Sequence, residues 1–254
     1  MPNIQFLDRV IHRTVRVHEE KALSVGRDTT MCLVTFNEIF RLVLEYPIVF
    51  TKDGDSGQYV CVALFGVDPG ENLFWRDGRW NAEYLPLNIA RQPFSLDVTG
   101  DDGAVEGSAK LVTCIDVENP GVQSTEGQRL FDDGGKETPY LVYKQGLLAE
   151  LASGEIRSNQ FVQRMVQLDL VRPIQLELKG PGLDPRKITG LYSIDELKMR
   201  SLADGVLTVL NASGHLRAAF AMLSSLGHLQ IQAQRAARWR EAARAAKEKA
   251  PSLS

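Results

Sequence analysis

The chain has 254 residues, 44% hydrophobic and 24% charged, which is ordinary globular usage and enough length to bury a sizeable core. Wholesale disorder is excluded on that composition, and a formal net charge of -3 argues against a whole-protein field for nucleic acid or an acidic membrane. Three cysteines, Cys32, Cys61 and Cys114, include no CxxC pair and point to reduced thiols in a cytoplasm-like compartment. Cys61 and Cys114 sit in apolar strand-like runs and read as small buried hydrophobes. Residues 1–9 have no apolar core of signal-peptide length, and no apolar run reaches the roughly 20 residues of a membrane span. The expected location is the cytoplasm. A C-terminal export signal would escape this test.

Taken in chain order, residues 1–34 read as strands, with Ile4, Phe6, Val10, Val15, Val17, Leu23 and Val25 spaced more like strands than a helix. His12 and His18 are expected at a surface or edge. Thr35-Phe36-Asn37-Glu38 is a capping box for a short helix through Leu44, which Pro47 ends near Tyr46. Residues 48–50 and 59–67 follow as strands around a turn at 53–57. The second is continuously apolar, which predicts a strand inside a sheet with both faces covered. Residues 72–75 and 80–85 flank Arg76-Asp77-Gly78-Arg79 as a hairpin with Asp77-Gly78 at its tip. Residues 86–91 make one or two helical turns and 94–98 a strand. The acidic, glycine-rich stretch 99–107 reads as a solvated hairpin loop, because the D-x-[DN]-x-[DN]-G spacing of a calcium loop is absent. A strand over 109–117 and a loop over 119–136 complete this part.

Thr138-Pro139 sets a capping hydroxyl before a first-turn proline. Leu141, Val142, Gln145, Leu148, Ala149 and Ala152 then give helical spacing, which Gly154 is expected to break before a second helix from Ser158 to Pro173. Residues 174–178 and 188–194 read as strands around a Pro181-Gly182 turn. From Ser201 the composition turns to Ala and Leu in helices interrupted at Gly214 and Gly227, ending in a basic Ala/Arg helix from Ile231 whose end frays. The predicted class is α+β: a mainly antiparallel or mixed sheet with hairpins in the first two-thirds, helices packed on it, and a helical C-terminus. One domain over 1–230 and a basic tail over 231–254 is the simplest division.

No GxSxG elbow, phosphate loop, GxGxxG or HExxH is present, and none of the four histidines pairs at metal-ligand spacing. His215 and His228 each follow a helix-breaking glycine and read as cap or loop residues. Asp77, Asp195 and Glu196 have the positions of turn and cap residues. The candidate site is the aromatic and arginine cluster Trp75, Arg79, Trp80, Tyr84 and Arg91. Such residues clamp planar or anionic ligands by stacking and forked hydrogen bonds, and they also make interface hot spots. The plain alternative is that Trp80 is core and Arg79 covers a strand edge.

Several runs carry a family resemblance: Tyr46-Pro47-Ile48-Val49-Phe50, Val62-Ala63-Leu64-Phe65-Gly66, Asn72-Leu73-Phe74, Gly78-Arg79-Trp80 and Pro93-Phe94. In the second half Gly190-Leu191-Tyr192-Ser193-Ile194-Asp195-Glu196, Ser213-Gly214-His215-Leu216 and Leu223-Ser224-Ser225-Leu226-Gly227 continue it. In these runs, from about Thr35 to about Leu229, the chain resembles the SapC family. The resemblance implies a bacterial protein named for a surface-layer association, whose relatives are encoded near flavin-dependent halogenase-like and cupin-like proteins. One departure is Ala90-Arg91-Gln92-Pro93-Phe94, where the family more often has paired arginines and a tyrosine, which weakens the case for an anion site there. Three readings stay open. The first is a non-catalytic accessory protein that meets another protein through the cluster. The second is a binding protein or enzyme for a small aromatic or anionic metabolite, working with such a halogenase-like or cupin-like protein. The third is a surface-layer-related structural protein. The expectation leans away from catalysis, and no cofactor, metal, nucleic acid or membrane span is expected.

Overall fold

The computed structural model describes residues 2–99, 110–180 and 183–249. The chain begins with β1 (Ile4–Phe6), β2 (Arg16–Val17), α1 (Glu19–Leu23), a 3-10 turn (Ser24–Gly26) and β3 (Met31–Leu33). It continues with α2 (Ile39–Leu42), β4 (Ile48–Lys52), β5 (Tyr59–Leu64), β6 (Trp75–Arg76), β7 (Arg79–Trp80), α3 (Leu87–Ala90), β8 (Phe94–Thr99) and β9 (Lys110–Asp116). The rest is β10 (Val122–Gln123), β11 (Gln128–Arg129), α4 (Pro139–Gln167), β12 (Val171–Gly180), β13 (Leu183–Ile194), α5 (Glu196–Arg200), α6 (Asp204–Ala212), α7 (His215–Ser225) and α8 (Gly227–Lys249). Antiparallel sheets, helices and a helical C-terminus make this an α+β fold, as the pattern predicts. The acidic loop expected over 99–107 and the Pro181-Gly182 turn lie outside the described residues, except Thr99, which closes β8.

Contacts divide the chain into two units. The first comprises Met1–Asp28 and Trp75–Ser153. In it β1, β9 and β8 form an antiparallel sheet in the order β1-β9-β8, and β2 pairs on either side with β10 and β11. Its core gathers Val17, Ala22, Phe94, Ile115, Leu130, Leu141 and Leu148. Several expectations fail here, among them the loop expected over 119–136, which carries the short strands β10 and β11. Leu23 and Val25 lie on α1 and the 3-10 turn rather than on a strand. His12 is 2% exposed, its Nδ1 accepting from the Asp8 N–H at 3.0 Å, so it is a core histidine and not a surface one.

The second unit comprises Thr29–Phe74 and Gly154–Ser254. It is built on a sheet in the order β12-β13-β4-β5-β3, all antiparallel. Helices cover both faces. Phe50 lies 6.0 Å from the Phe161 ring of α4, while its neighbour Val49 packs with Val62, Leu191 and Leu229 of α8 on the other side. Alternate residues of β4 and β5 therefore both meet apolar neighbours, which is why β5 reads as an unbroken apolar run. Ser225 accepts from the Ile48 N–H at 2.9 Å and Gln232 donates to the Leu64 carbonyl at 2.8 Å, so α7 and α8 are pinned to strand backbone. Arg240 bridges Asp68 and Glu71, and Arg235 lies over the Phe74 ring, which gives the basic helix a structural use for two of its arginines.

The capping box at Thr35 forms in part. Glu38 reaches back to the Thr35 N–H at 2.9 Å, but the Thr35 hydroxyl faces that carboxylate and not the helix. The expected break at Gly154 does not occur, and α4 runs 29 residues without interruption. Gly154 is instead where the Thr35 segment comes close. A Cβ there would lie 2.7 Å from Thr35 Cβ, and one turn on Ser158 accepts from the Phe36 N–H at 2.7 Å. Glycine serves close approach at this position and costs the helix about 1 kcal/mol of propensity.

Candidate functional site

The expected cluster falls in the first unit, on the ribbon β6–β7 and the segment that follows it. Trp75 pairs with Trp80 and Arg76 with Arg79 across the ribbon. The two tip residues, Asp77 at φ 53° and Gly78 at φ 78°, are both left-handed, the backbone a type I′ turn demands and Asp-Gly supplies at least cost. Asn81 donates to the carbonyls of Arg76 at 3.0 Å and Arg79 at 3.1 Å, which ties the two arms together at the side chain after the second arm.

The tryptophans meet edge to face, centroids 6.5 Å apart and planes at 75°. Both are half-buried. Trp80 rests on the 3-10 turn, its ring 3.1 Å from where a Cβ on Gly26 would stand, with Ile89 Cδ1 at 3.4 Å from the same point. A Cβ at Gly26 would press on the indole by a few tenths of an ångström. Arg79 is exposed, and its side chain makes no ion pair among the described residues, whereas Arg76 pairs with Asp77 at 3.6 Å. Tyr84 is half-buried. Arg91 is engaged in its own loop, donating to Asn88 at 3.0 Å and to the Phe94 carbonyl at 2.6 Å around the cis Gln92–Pro93 bond. The structure brings Trp75 and Trp80 into contact with each other, carries Arg79 on the same ribbon, and gives Arg91 a backbone-holding position.

Lys144 of α4, which belongs to no recognised motif, secures this loop from beneath. Its side chain is fully buried, and its ammonium donates to Glu19 Oε1 at 2.6 Å, the Ala90 carbonyl at 2.6 Å and the Gln92 carbonyl at 3.1 Å. Those are all three donors an ammonium has. The Tyr140 hydroxyl donates to Glu19 Oε2 at 2.7 Å, and the Lys144 nitrogen lies 5.4 Å from the Tyr140 ring centre. Burial pulls the Lys144 pKa below its ordinary value against the opposing pull of Glu19. Burial, and then the hydrogen bond to Glu19, push the Tyr140 hydroxyl up. A signal existed in the sequence: Lys144 stands three residues after Leu141 and four before Leu148, on the helix's apolar stripe, where a lysine must find acceptors.

Nucleophilic chemistry finds little support in the thiols. All three cysteines are free and buried, burial pushes Cys61 up to about 12, and burial with Asp97 raises Cys114. Among the described residues no group of three His, Cys, Asp or Glu side chains could hold a metal ion, and no single helix is long and apolar enough to cross a membrane. Two clefts open elsewhere. One of about 620 Å³ in the first unit is lined by Arg9, Phe131, Lys136 and Glu137 among others. One of about 250 Å³ in the second unit lies between the end of α4 and the α6–α7 junction. Neither is lined by the ribbon.

Comparison with curated proteins and with solved structures returned no match. The SapC family model matches residues 7–231, most of the chain, and it takes in the ribbon, the Lys144 network and both clefts. The chain belongs to the SapC family.

Proposed function

We propose that this SapC-family protein is a non-catalytic accessory protein of the bacterial cytoplasm that binds a protein partner through the ribbon at residues 75–84. The observation that carries this reading is the half-buried Trp75–Trp80 pair beside the exposed, unbridged Arg79. Tryptophan and arginine are the residues in which interface energy concentrates, and a two-residue-per-arm ribbon propped on Gly26 presents them with little entropy left to lose on binding. The buried, free thiols suit a reducing compartment. Lys144 and Arg91 serve backbone carbonyls, an arrangement suited to holding a surface rather than to turning over a substrate.

The experiment starts with capture from the native host by the full-length protein, identification of the retained protein, and measurement of its affinity with both partners purified. The double variant Trp75→Ala, Arg79→Ala should weaken binding by roughly 100-fold or more, the loss of about 3 kcal/mol expected of hot-spot removal, with an unchanged circular dichroism spectrum. Undiminished affinity would make the ribbon scaffold only. Retention of a small aromatic or anionic molecule in place of a protein, lost in the same variant, would favour the metabolite reading, for which the edge-to-face indoles on one ribbon with an arginine are equally suited.

A further inference from the structure

The run Ser213-Gly214-His215-Leu216 takes no part in the ribbon. Its place is the wall of the 250 Å³ cleft in the second unit. Gly214, at φ 76°, turns the chain between α6 and α7 and sets Ser213 and His215 on that wall. The facing wall is the end of α4, where Gln160, Gln163, Arg164 and Gln167 recur on one side of the helix. Val209 and Leu210 supply an apolar patch.

Ser213 spends its hydroxyl on the Leu210 carbonyl at 3.0 Å, but the longer polar side chains of this cleft are not used up by the fold among the described residues. Arg164 is half-buried, and among the described residues no carboxylate or carbonyl engages its guanidinium. The three glutamine amides have no hydrogen-bond partner among the described residues either. No Asp or Glu lines the cleft. The imidazole of His215 lines the cleft and lies T-shaped to Phe36 at 5.6 Å and to Phe161 at 5.4 Å. The charged groups that act on it are Arg157 and Arg164, and after burial they hold its pKa below the ordinary value. Arg157 is occupied, with Asn37 at 2.8 Å and the Phe36 ring at 4.7 Å. The cleft therefore presents one half-desolvated, unpaired cation, several neutral amides and an apolar patch, with no built-in counter-ion.

We propose that this cleft binds a small organic carboxylate, its head held by the fork of Arg164 and the glutamine amides and its short apolar part against Val209 and Leu210. A guanidinium matches a carboxylate by two parallel hydrogen bonds, and partial burial makes the pair worth more than one at an open surface. At about 250 Å³ the cleft falls below the usual range for drug-sized ligands, which limits the guest to a small metabolite. The site shares no residue with the ribbon, so its test is independent of the accessory-protein reading.

The experiment uses the full-length protein with isotope-labelled histidine and follows the His215 ring signals by NMR at constant ionic strength. The probes are butyrate, its neutral isostere butyramide, and inorganic phosphate. Butyrate should shift the His215 signals saturably and raise the midpoint of their pH titration, because an anion beside the ring offsets Arg157 and Arg164. Butyramide should leave both unmoved, phosphate should bind at least about tenfold more weakly than butyrate, and Arg164→Gln should weaken butyrate binding about tenfold or more. That variant changes a half-buried group with no partner to lose among the described residues, so its melting temperature should match the parent, while its ligand-free His215 midpoint should itself rise once Arg164 no longer opposes the imidazolium; butyrate affinity is therefore read from the saturable shift measured from the variant's own baseline. No saturable shift up to roughly 20 mM butyrate overturns the proposal, as does equal binding of butyramide or phosphate, or an Arg164→Gln affinity within about twofold of the parent.

Discussion

Replacing Lys144 by methionine keeps the length and most of the volume of the side chain and removes its ammonium. Three acceptors then lose a donor: Glu19 at 2.6 Å, the Ala90 carbonyl at 2.6 Å and the Gln92 carbonyl at 3.1 Å. Glu19 keeps the Tyr140 hydroxyl at 2.7 Å and 40% of its side chain in solvent, so its own loss is small. The two carbonyls have no such reserve. Each buried acceptor left without a partner costs about 1–3 kcal/mol. Against this stands the relief of no longer desolvating an ammonium, the effect that pulls the Lys144 pKa down. The net expectation is a loss of about 2–4 kcal/mol, a large share of the roughly 5–15 kcal/mol that holds a folded domain. Urea denaturation near neutral pH, followed by tryptophan fluorescence and circular dichroism, measures it. Glu19→Gln, which keeps an oxygen for the Lys144 ammonium and turns its amide N–H toward the Tyr140 hydroxyl as acceptor, should lose less than Lys144→Met. A Lys144→Met loss under about 1 kcal/mol, or a gain, would refute the reasoning, because it would mean that water or backbone movement satisfies the two carbonyls at little cost.

Two further expectations concern the second unit. Gly154→Ala would ordinarily stabilise a helix interior by about 1 kcal/mol, but here the added methyl meets Thr35 Cβ and Oγ1 at 2.7 Å, so a net destabilisation of about 1–3 kcal/mol is expected and a rise in melting temperature would overturn it. His215 has a folded-state pKa held below its ordinary 6.5 by burial and then by Arg157 and Arg164. As the pH falls below 6.5 the unfolded chain takes up a proton that the folded chain still refuses, so stability declines through that window and is at its full value above it. His215→Gln should flatten this part of the urea midpoint profile, and a profile parallel to the parent's would refute the assignment.

The parts of the fold legible in the sequence are those decided by near neighbours. The ribbon tip needs two consecutive left-handed residues, and Asp77-Gly78 announces them locally. The interior position of β5 shows because helices on both faces demand apolar residues at every step. What stayed hidden depends on distant partners. Residues 122–123 and 128–129, expected within a loop, become strands only because they pair with Arg16 and Val17 from either side, and two-residue strands carry no periodicity of their own. Gly154 departs from its expected role for a related reason. A sequence records that a side chain is missing but not what fills its place, so a glycine that admits Thr35 looks the same as one that ends a helix.

The candidate site divides along the same line. Trp75, Arg79 and Trp80 were legible as a composition, since residues of those types so close together are rare outside cores and interfaces. Their arrangement was not, because the propping of Trp80 on Gly26 joins segments far apart in the chain. Arg91 shows how misleading composition becomes when geometry is missing. It belongs to the cluster by type and position, yet its donors at 3.0 Å and 2.6 Å serve Asn88 and the Phe94 carbonyl. Lys144 shows the reverse, a residue unremarked in a helix whose ammonium fixes the same loop from the buried side. An arginine with its hydrogen bonds already made gains little from a ligand, whereas one with none made gains the full charge-assisted pair. By that criterion Arg79 on the ribbon and Arg164 in the cleft, each without a side-chain hydrogen bond among the described residues, are cations on which binding experiments should bear, whereas substitution of Arg91 should register first as lost stability.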